Sequence, residues 1–248
     1  MATWRLDIAY DGGPFSGWAA QPGLRTVQGE LEDGLEQVCG ERPRLTVAGR
    51  TDAGVHAWGQ VASCEIEREP ELDLRRSLNA VTPREVSVRS ATRAPDTFDA
   101  RRGARSRTYC YRVLASSIAS PFEVGRALWW PYGFDRAAAE RCAGLVPGTH
   151  DFTAFTPTQT EHVRFERDVV RCEWRDGHGL GEDPVLELWI EADAFMRNMV
   201  RILVGTMLEI AAGRREEDGF AELLEGMPRE RAGETAPPHG LYLAAVAY

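Results

Sequence analysis

The stretch Gly49-Arg50-Thr51-Asp52-Ala53-Gly54-Val55-His56 separates two runs of apolar residues. The run from Leu45 to Ala48 and the run from Val61 to Ile66 each have the composition of a strand. The glycines and the small Ala53 permit a tight path of the backbone between them. We therefore predict that residues 49–56 form a loop between strands and that this loop carries Asp52. Asp-Ala-Gly is also a common turn signal, so a purely structural aspartate is the alternative at this level.

Apolar and polar residues alternate at several other places, which is the pattern of a strand with one buried face. The first case contains Trp4, Leu6, Ile8 and Tyr10, and a glycine-rich turn ends it. Further strands are predicted around residues 109–113, 186–190 and 241–248.

Two segments have the spacing of amphipathic helices with recognisable ends. One lies between Thr26, placed as its N-cap, and Gly40, placed just past its end. The other runs from Asp135, a second candidate cap, to Leu145. These caps make both helices predictable from local sequence.

The longest predicted helix begins near Ala194 and places Arg197 and Arg201 four residues apart, beside an apolar stripe. Strands and helices that are mixed without regular βα alternation favour an α+β fold with mainly antiparallel sheet. We expect two similar halves flanked by helices. The first, 1–105, carries the Asp52 loop; the second, 106–248, carries the Tyr109 strand and the Arg201 helix.

Charge is distributed unevenly along the chain. The formal net charge is −9, which by itself opposes binding to a polyanion. Between Arg89 and Arg112, however, seven arginines stand against two aspartates, a balance of 7 − 2 = +5. The chain contains no lysine, and arginine supplies the planar fork that suits phosphate. The basic stretch is either a track for RNA phosphates or an ordinary solvated surface.

Several chemistries are excluded by the motifs that the sequence lacks. It contains no phosphate-binding P-loop, no dinucleotide fingerprint and no H-E-x-x-H or G-x-S-x-G motif. Five widely spaced cysteines without a C-x-x-C pair favour reduced, buried thiols, and five scattered histidines offer no evident metal site. For His150 we expect a structural hydrogen bond. What remains is chemistry performed by carboxylate, arginine and tyrosine.

No apolar stretch of the sequence approaches the roughly 20 residues needed to span a bilayer. The N-terminus carries Arg5 and Asp7 and resembles no secretion signal. We therefore expect a cytoplasmic protein that does not enter a membrane.

The string Gly49 to Ala57, G-R-T-D-A-G-V-H-A, resembles the central motif of the tRNA pseudouridine synthase A (TruA) family. The resemblance continues in the same order over nearly the whole chain. It includes Tyr10-Asp11-Gly12 with Gly17-Trp18, Thr26 to Leu31, Leu78-Asn79-Ala80, Arg107 to Tyr111, Asp151 to Phe155, Ala194 to Gly205 and Gly240 to Leu243.

This resemblance implies the pseudouridine synthase fold, with an active-site cleft between the halves, and assigns roles to several residues. Asp52 would be the catalytic carboxylate, attacking the sugar, attacking the pyrimidine or removing a sugar proton. Arg201 would be the cation that offsets the cost of enclosing that carboxylate with a base. Tyr109 would stack on the extruded uracil and help to remove its carbon 5 proton.

Arg50 would displace the target base from its stem or fill its place, since chemistry on a stacked base requires its extrusion. Arg101 and Arg107 would contact the RNA as part of the basic stretch. By the same resemblance, the substrate is tRNA, modified at positions 38, 39 and 40 of the anticodon stem-loop. The enzyme would be an isomerase that acts as a homodimer, with no cofactor and no metal.

Two positions depart from the family pattern. Ala19 stands where the family usually has glutamine, and Asp99 replaces a histidine in the segment Phe98-Asp99-Ala100-Arg101. We expect these departures to affect RNA contacts. Two alternatives stay open on the sequence: a non-catalytic RNA-binding or tRNA-folding protein on the same fold, and a synthase that acts on another RNA.

Overall fold

A computed structural model describes residues 1–67, 72–160, 163–180 and 183–248. The chain divides into two compact units, Met1–Arg105 with Tyr242–Tyr248 and Ser106–Leu241. The last strand thus belongs with the first unit, although it follows the second along the chain. The division of the chain into domains 1–105 and 106–248 remains a prediction. Within the described ranges, no helix is long and apolar enough to cross a membrane.

The helices and strands of the described residues alternate irregularly along the chain. Strands β1 to β10 span Ala2–Tyr10, Thr46–Val47, His56–Ile66, Val86–Arg93, Ser106–Leu114, Leu128–Trp129, Gly148–Asp151, Glu166–His178, Pro184–Ala192 and Leu241–Ala247. Helices α1 to α5 span Val27–Cys39, Leu74–Val81, Arg136–Leu145, Met199–Ala211 and Phe220–Leu223. Short 3-10 helices cover Thr153–Phe155, Arg229–Arg231 and Pro238–Gly240.

In the first unit, β1 is the centre of an antiparallel sheet. It pairs with β3 on one side and with β4 on the other. The short β2 pairs antiparallel with β3, and β10 pairs parallel with β3 through Tyr242 and His56. Leu6 and Ile8 of β1 and Leu31 of α1 are fully buried.

In the second unit, β5, β9, β8 and β7 lie side by side in that order, and all three pairs are antiparallel. The short β6 pairs parallel with β5. Helix α3 packs against α4 and against β8. Both units therefore combine mainly antiparallel sheet with helices, and the predicted α+β fold class is confirmed.

Helices α1 and α3 begin and end at the predicted residues. Thr26 Oγ1 accepts the N–H of Gly29 at 3.2 Å, and Gly40 closes α1 in the left-handed conformation with φ of 72°. Asp135 caps α3 by accepting the N–H of Ala138 at 3.1 Å. Each cap satisfies a backbone group that the helix leaves unpaired.

The predicted start of the longest helix near Ala194 is wrong. Helix α4 begins at Met199, because Asn198 adopts the left-handed conformation with φ of 60°. Asparagine tolerates this conformation better than most residues, and it interrupts the helix. Arg197 therefore lies outside α4 and is exposed, whereas Arg201 lies in the first turn.

Candidate active site

Asp52 opens a tight turn between β2 and β3. The N–H of Val55 donates to the carbonyl oxygen of Asp52 at 3.1 Å, and Gly54 has φ of 78°. A positive φ at the third residue of a four-residue turn is the reason for glycine there. The turn exposes Ala53 and leaves Asp52 half-buried. The predicted loop between strands is confirmed, except that its last residue, His56, already belongs to β3.

Buried side chains of β1 and β3 fix the backbone just before Asp52. Gln60, which is fully buried, donates from Nε2 to the carbonyl oxygen of Gly49 at 2.8 Å. The hydroxyl of Tyr10 and Oγ1 of Thr51 share a hydrogen bond of 2.7 Å, and Gln60 Nε2 lies 3.3 Å from the same Tyr10 oxygen. A buried polar network is thus formed by Tyr10, Thr51 and Gln60. Its hydrogen bonds make the loop more rigid.

The phenol of Tyr10 stays neutral in this network. Burial raises the pKa of Tyr10 to about 12, and the hydrogen bonds with Thr51 and Gln60 lower it only in part. A neutral phenol keeps its proton available for the hydrogen bond with Thr51. The network therefore holds the loop without adding a charge beside Asp52.

The loop after β1 makes two further hydrogen bonds to the Asp52 loop. The N–H of Trp18 donates to the carbonyl oxygen of Thr51 at 3.0 Å, and the N–H of Gly12 donates to His56 Nδ1 at 3.0 Å. Gly12 approaches so closely that a Cβ there would lie 2.0 Å from the carbonyl oxygen of Val55. Only glycine fits this contact without movement of one backbone.

His56 is a buried histidine with satisfied contacts. It is 4% exposed, and its ring stacks on Tyr242 at 4.6 Å. Its Nδ1 accepts the N–H of Gly12. The Asp11 carboxylate lies 3.1 Å from the same Nδ1. His56 therefore joins two loops in the first unit.

The predicted RNA-contacting arginines of the first unit, Arg50 and Arg101, are both exposed. Arg50 precedes Asp52 by two residues in the loop. Arg101 lies in a turn whose backbone is held by Asp99, since the Asp99 carboxylate accepts the N–H groups of Arg101 and Arg102 at 2.8 Å and 2.7 Å. The unusual Asp99 thus has a structural role that the sequence did not reveal.

Tyr109 and Arg107 lie on β5 in the second unit. Tyr109 is 8% exposed, and its ring packs edge-to-face against the ring of Phe195, with 5.0 Å between the ring centroids. Arg107 is half-buried and donates from Nη1 to the carbonyl oxygen of Asp193 at 2.8 Å. The segment between β9 and α4 therefore packs on Tyr109 and binds Arg107.

Arg201 has an oriented side chain. Its Nε donates to the carbonyl oxygen of Ala236 at 2.7 Å, and its Nη1 donates to Oδ1 of Asn198 at 2.9 Å. The backbone completes the contact, because Ala236 N–H donates to the carbonyl oxygen of Arg201 at 3.1 Å. Asn198 thus has two duties, since it begins α4 and also directs the guanidinium of Arg201.

The described residues contain no group of three or more histidine, cysteine and acidic side chains that could hold a metal ion; His162 lies outside them. His150 makes the predicted structural hydrogen bond, with Nε2 at 3.2 Å from the carbonyl oxygen of Pro147. All five cysteines are buried and unbridged, as predicted. Burial raises the pKa of Cys64 to about 12, which keeps this thiol protonated and unreactive.

The supporting residues Tyr10, Gln60 and Asn198 were missed as functional candidates. One signal was present for Gln60, a polar residue within the strand 56–66 that is otherwise rich in small and apolar residues. Tyr10 looked like an ordinary inward residue of an alternating strand. Neither pattern indicates which loop these side chains would bind.

The chain is similar to known proteins over nearly its full length. The sequence profile of a family described as tRNA pseudouridine synthase matches residues 8–101 and 143–248. The tRNA pseudouridine synthase A of Geobacillus sp. (strain WCH70) is 39% identical over 247 residues, which cover 98% of this chain and 97% of that protein. The counterpart from Frankia casuarinae is 43% identical over 248 residues, which cover 98% of this chain and 88% of that protein. The counterpart from Thermosipho africanus is 37% identical over 251 residues, which cover 100% of both chains.

Among solved structures, a chain in the crystal structure of a Cbf5-Nop10-Gar1 complex aligns with 83% of this chain and 54% of its own length. Its TM-score is 0.32 at 10% identity. The sequence matches decide the family, because the profile includes the Asp52 loop and also the Arg201 helix. By these matches, the chain belongs to the tRNA pseudouridine synthase family.

Proposed function

We propose that this protein converts uridine to pseudouridine at positions 38, 39 and 40 in the anticodon stem-loop of tRNA, with Asp52 as its catalytic carboxylate. One observation carries the proposal. The loop is fixed at Gly49, Thr51 and His56, but the Asp52 carboxylate receives no hydrogen bond from the described residues of its own unit. A rigid backbone with an uncommitted carboxylate suits a group that must react with a substrate.

The reaction breaks the bond between the ribose and the uracil nitrogen, turns the detached base and rejoins it through carbon 5. Atoms are rearranged within one nucleotide, so the reaction is an isomerisation in which nothing is oxidised or reduced. The carboxylate of Asp52 would act on the sugar or on the base of the target uridine. Because carbon 5 loses a proton and the uracil nitrogen released from the ribose gains one, the chemistry needs a positioned carboxylate and a means of moving these protons.

Tyr109 and Arg201 would serve the same uridine from the second unit. The ring of Tyr109 is ordered by Phe195, which supports a role in stacking, and its hydroxyl is suited to help with the carbon 5 proton. Arg201 would offset the cost of enclosing the Asp52 carboxylate with a base. Its orientation by Asn198 and Ala236 supports this role, because a directed guanidinium loses less entropy on binding.

Arg50, Arg101 and Arg107 would contact the RNA. Arg50 and Arg101 are exposed, so both side chains are accessible to the phosphates of a bound RNA. Arg50 is suited to enter the stem when the target base leaves it, since it lies on the same rigid loop as Asp52. We further propose that the protein acts as a homodimer, as the family resemblance implies.

The test measures tritium released to water from tRNA labelled at uracil carbon 5, in a buffer that contains a chelator. We expect release from a transcript with uridines at positions 38–40 and none when cytidines replace only those uridines. Binding of each transcript is measured in parallel by fluorescence. Binding to tRNA without release from any transcript would support the non-catalytic RNA-binding alternative, and release from another RNA class alone would support the other alternative.

A further inference from the structure

Arg167 in the second unit is a buried arginine without a carboxylate partner. It lies on β8 opposite His150 of β7 and is 9% exposed. No acidic side chain among the described residues comes within ion-pair distance of its guanidinium, although other buried or half-buried arginines have such a partner. Buried charges are normally paired, because removing a charge from water is costly. Arg167 therefore needs an explanation.

The position of its guanidinium is fixed by main-chain carbonyls. Nη1 donates to the carbonyl oxygen of Arg164 at 2.9 Å and to that of Glu166 at 2.6 Å. These bonds use both hydrogens of Nη1 and hold the plane of the group. Nε is covered and has no hydrogen-bond partner. Nη2 also donates to none of the described residues.

The charges around Arg167 favour an anion. Burial lowers the pKa of Arg167, and the Asp193 carboxylate offsets this only in part, while Arg164 lowers it further. Asp193 is already engaged, since its Oδ1 accepts the N–H groups of Asp168 and Ala194 at 3.1 Å and 2.7 Å. The exposed Arg164 forms no ion pair with described residues. Two arginines thus lie together with unused donors.

Arg167 also lies at a functionally relevant end of the second unit. The strand β9 ends at Ala192, which pairs with both Arg107 of β5 and Val169 of β8. The next residue, Asp193, binds Arg107 through its carbonyl oxygen and influences Arg167 through its carboxylate. Arg107 and Arg167 are therefore at the same end of the sheet, and Arg107 is already proposed to contact RNA.

We propose that Arg167, with Arg164 beside it, binds a phosphate group of the RNA substrate. A fixed guanidinium with an unused edge matches the oxygens of a phosphodiester, and the bound phosphate supplies the negative charge that the protein itself does not place there. This inference rests on the proposed function, because it takes the ligand to be tRNA. The alternative is a structural arginine that only holds the turn at residues 164–167.

The experiment measures the affinity for tRNA by fluorescence at several salt concentrations. Arg167→Met should reduce the magnitude of the salt slope by up to about 0.9, which corresponds to one lost phosphate contact. Arg167→Lys keeps the charge and should retain the slope while affinity falls several-fold, because lysine lacks the planar fork. Arg141→Met is the matched control, since Arg141 is an exposed arginine of the same unit that is ion-paired with Glu217; its slope should not change.

Thermal unfolding of each variant is recorded alongside. If Arg167→Met does not fold, Arg164→Met provides the second test, because its exposed side chain can be removed with little effect on packing; its slope should fall in the same way. Unchanged slopes in folded Arg167→Met and Arg164→Met proteins would overturn the proposal and leave Arg167 structural. Because binding is measured apart from turnover, a protein that binds tRNA with the predicted slopes but releases no tritium would refute the proposed function alone.

Discussion

The Asp52 loop and the start of helix α4 hold their charged residues in opposite ways. Around Asp52, hydrogen bonds hold the carbonyl oxygen of Gly49 and the side chains of Thr51 and His56, and the Asp52 carboxylate receives none from the described residues of its own unit. At α4, the side chain of Arg201 is itself fixed, by Asn198 and by the carbonyl oxygen of Ala236.

On the proposed assignment, this difference separates a reacting group from an orienting group. A carboxylate that must approach a substrate is best left without internal partners on a rigid loop, whereas a cation that must point in one direction benefits from bonds to its side chain. Substitutions near Asp52 should therefore act through the position of the backbone. Substitutions near Arg201 should act through the direction of the guanidinium.

Among substitutions that leave the charged residues unchanged, Gly12→Ala is expected to lower turnover the most. The new Cβ would lie 2.0 Å from the carbonyl oxygen of Val55, so one of the two loops has to move. A displacement of about 1 Å in a catalytic group costs roughly 10²-fold in rate. We therefore expect a loss of this size in the rate of single-turnover tritium release.

The matched control is Gly13→Ala, whose nearest contact is the Asp11 carboxylate at 3.1 Å, a side chain that can turn away. It should retain most of the rate. Near-normal turnover in a folded Gly12→Ala protein would show that the close approach of the two loops does not position Asp52.

A smaller effect, about tenfold on turnover, is expected for Asn198→Gly, since a hydrogen bond to a charged group is worth about 1.5 kcal/mol or more. Glycine adopts φ of 60° without strain, so the helix start is kept and only the bond from Arg201 is lost. Asn198→Asp is the control, because it offers Arg201 an acceptor again and should restore turnover. Equal rates in the glycine variant and the wild type would remove Asn198 from the orientation of Arg201.

The smallest effect on turnover, a few-fold, is expected for Tyr10→Phe, which leaves Thr51 without its buried partner. The free energy of unfolding should fall by about 1–3 kcal/mol at neutral pH. Tyr248→Phe, which removes a hydroxyl bond to Ala100 in the same unit, should lower stability similarly but leave turnover unchanged. If both variants affect turnover equally, the network around Tyr10 has no special role in positioning the loop.

Tyr10→Phe should also change how the stability of the protein depends on pH. The pKa of Tyr10 in the folded protein is about 12, above its ordinary value of 10.0. The folded state therefore binds more protons above about pH 10, and the stability that comes from the neutral phenol is lost as pH rises from 10 towards 12. Tyr10→Phe should lose less stability over that range than the wild type does in denaturant unfolding. Parallel losses in both proteins would contradict the assignment.

The sequence predicted features whose signals are local. The caps Thr26 and Gly40 mark the two ends of α1, and Gly54 supplies the positive φ that the turn after Asp52 requires. These signals work because each depends on a hydrogen bond or a backbone angle within a few residues. The same holds for alternating strands with one buried face, such as β1.

Two kinds of feature were not predictable: a left-handed residue within an otherwise helical pattern, and contacts between distant parts of the chain. Apolar Met196 has helical spacing with Met199, but the left-handed Asn198 interrupts the helix and also binds Arg201. The hydrogen bonds of Tyr10 and Gln60 to the Asp52 loop join residues up to 41 positions apart, and no local pattern encodes such a pairing. The start of α4 and the support of the candidate site were therefore found only from the structure.

The central claim, that Asp52 is the catalytic carboxylate, is tested most directly by single-turnover tritium release from labelled tRNA with Asp52→Asn. The amide keeps the shape of the side chain and removes its charge. Asp96→Asn, an exposed aspartate of the same unit, makes the same change of net charge and serves as the control. We predict release below about one per cent of the wild-type rate for Asp52→Asn, with tRNA affinity within several-fold, and normal release for Asp96→Asn. Release clearly above that level by a folded Asp52→Asn protein that binds tRNA would contradict the assignment.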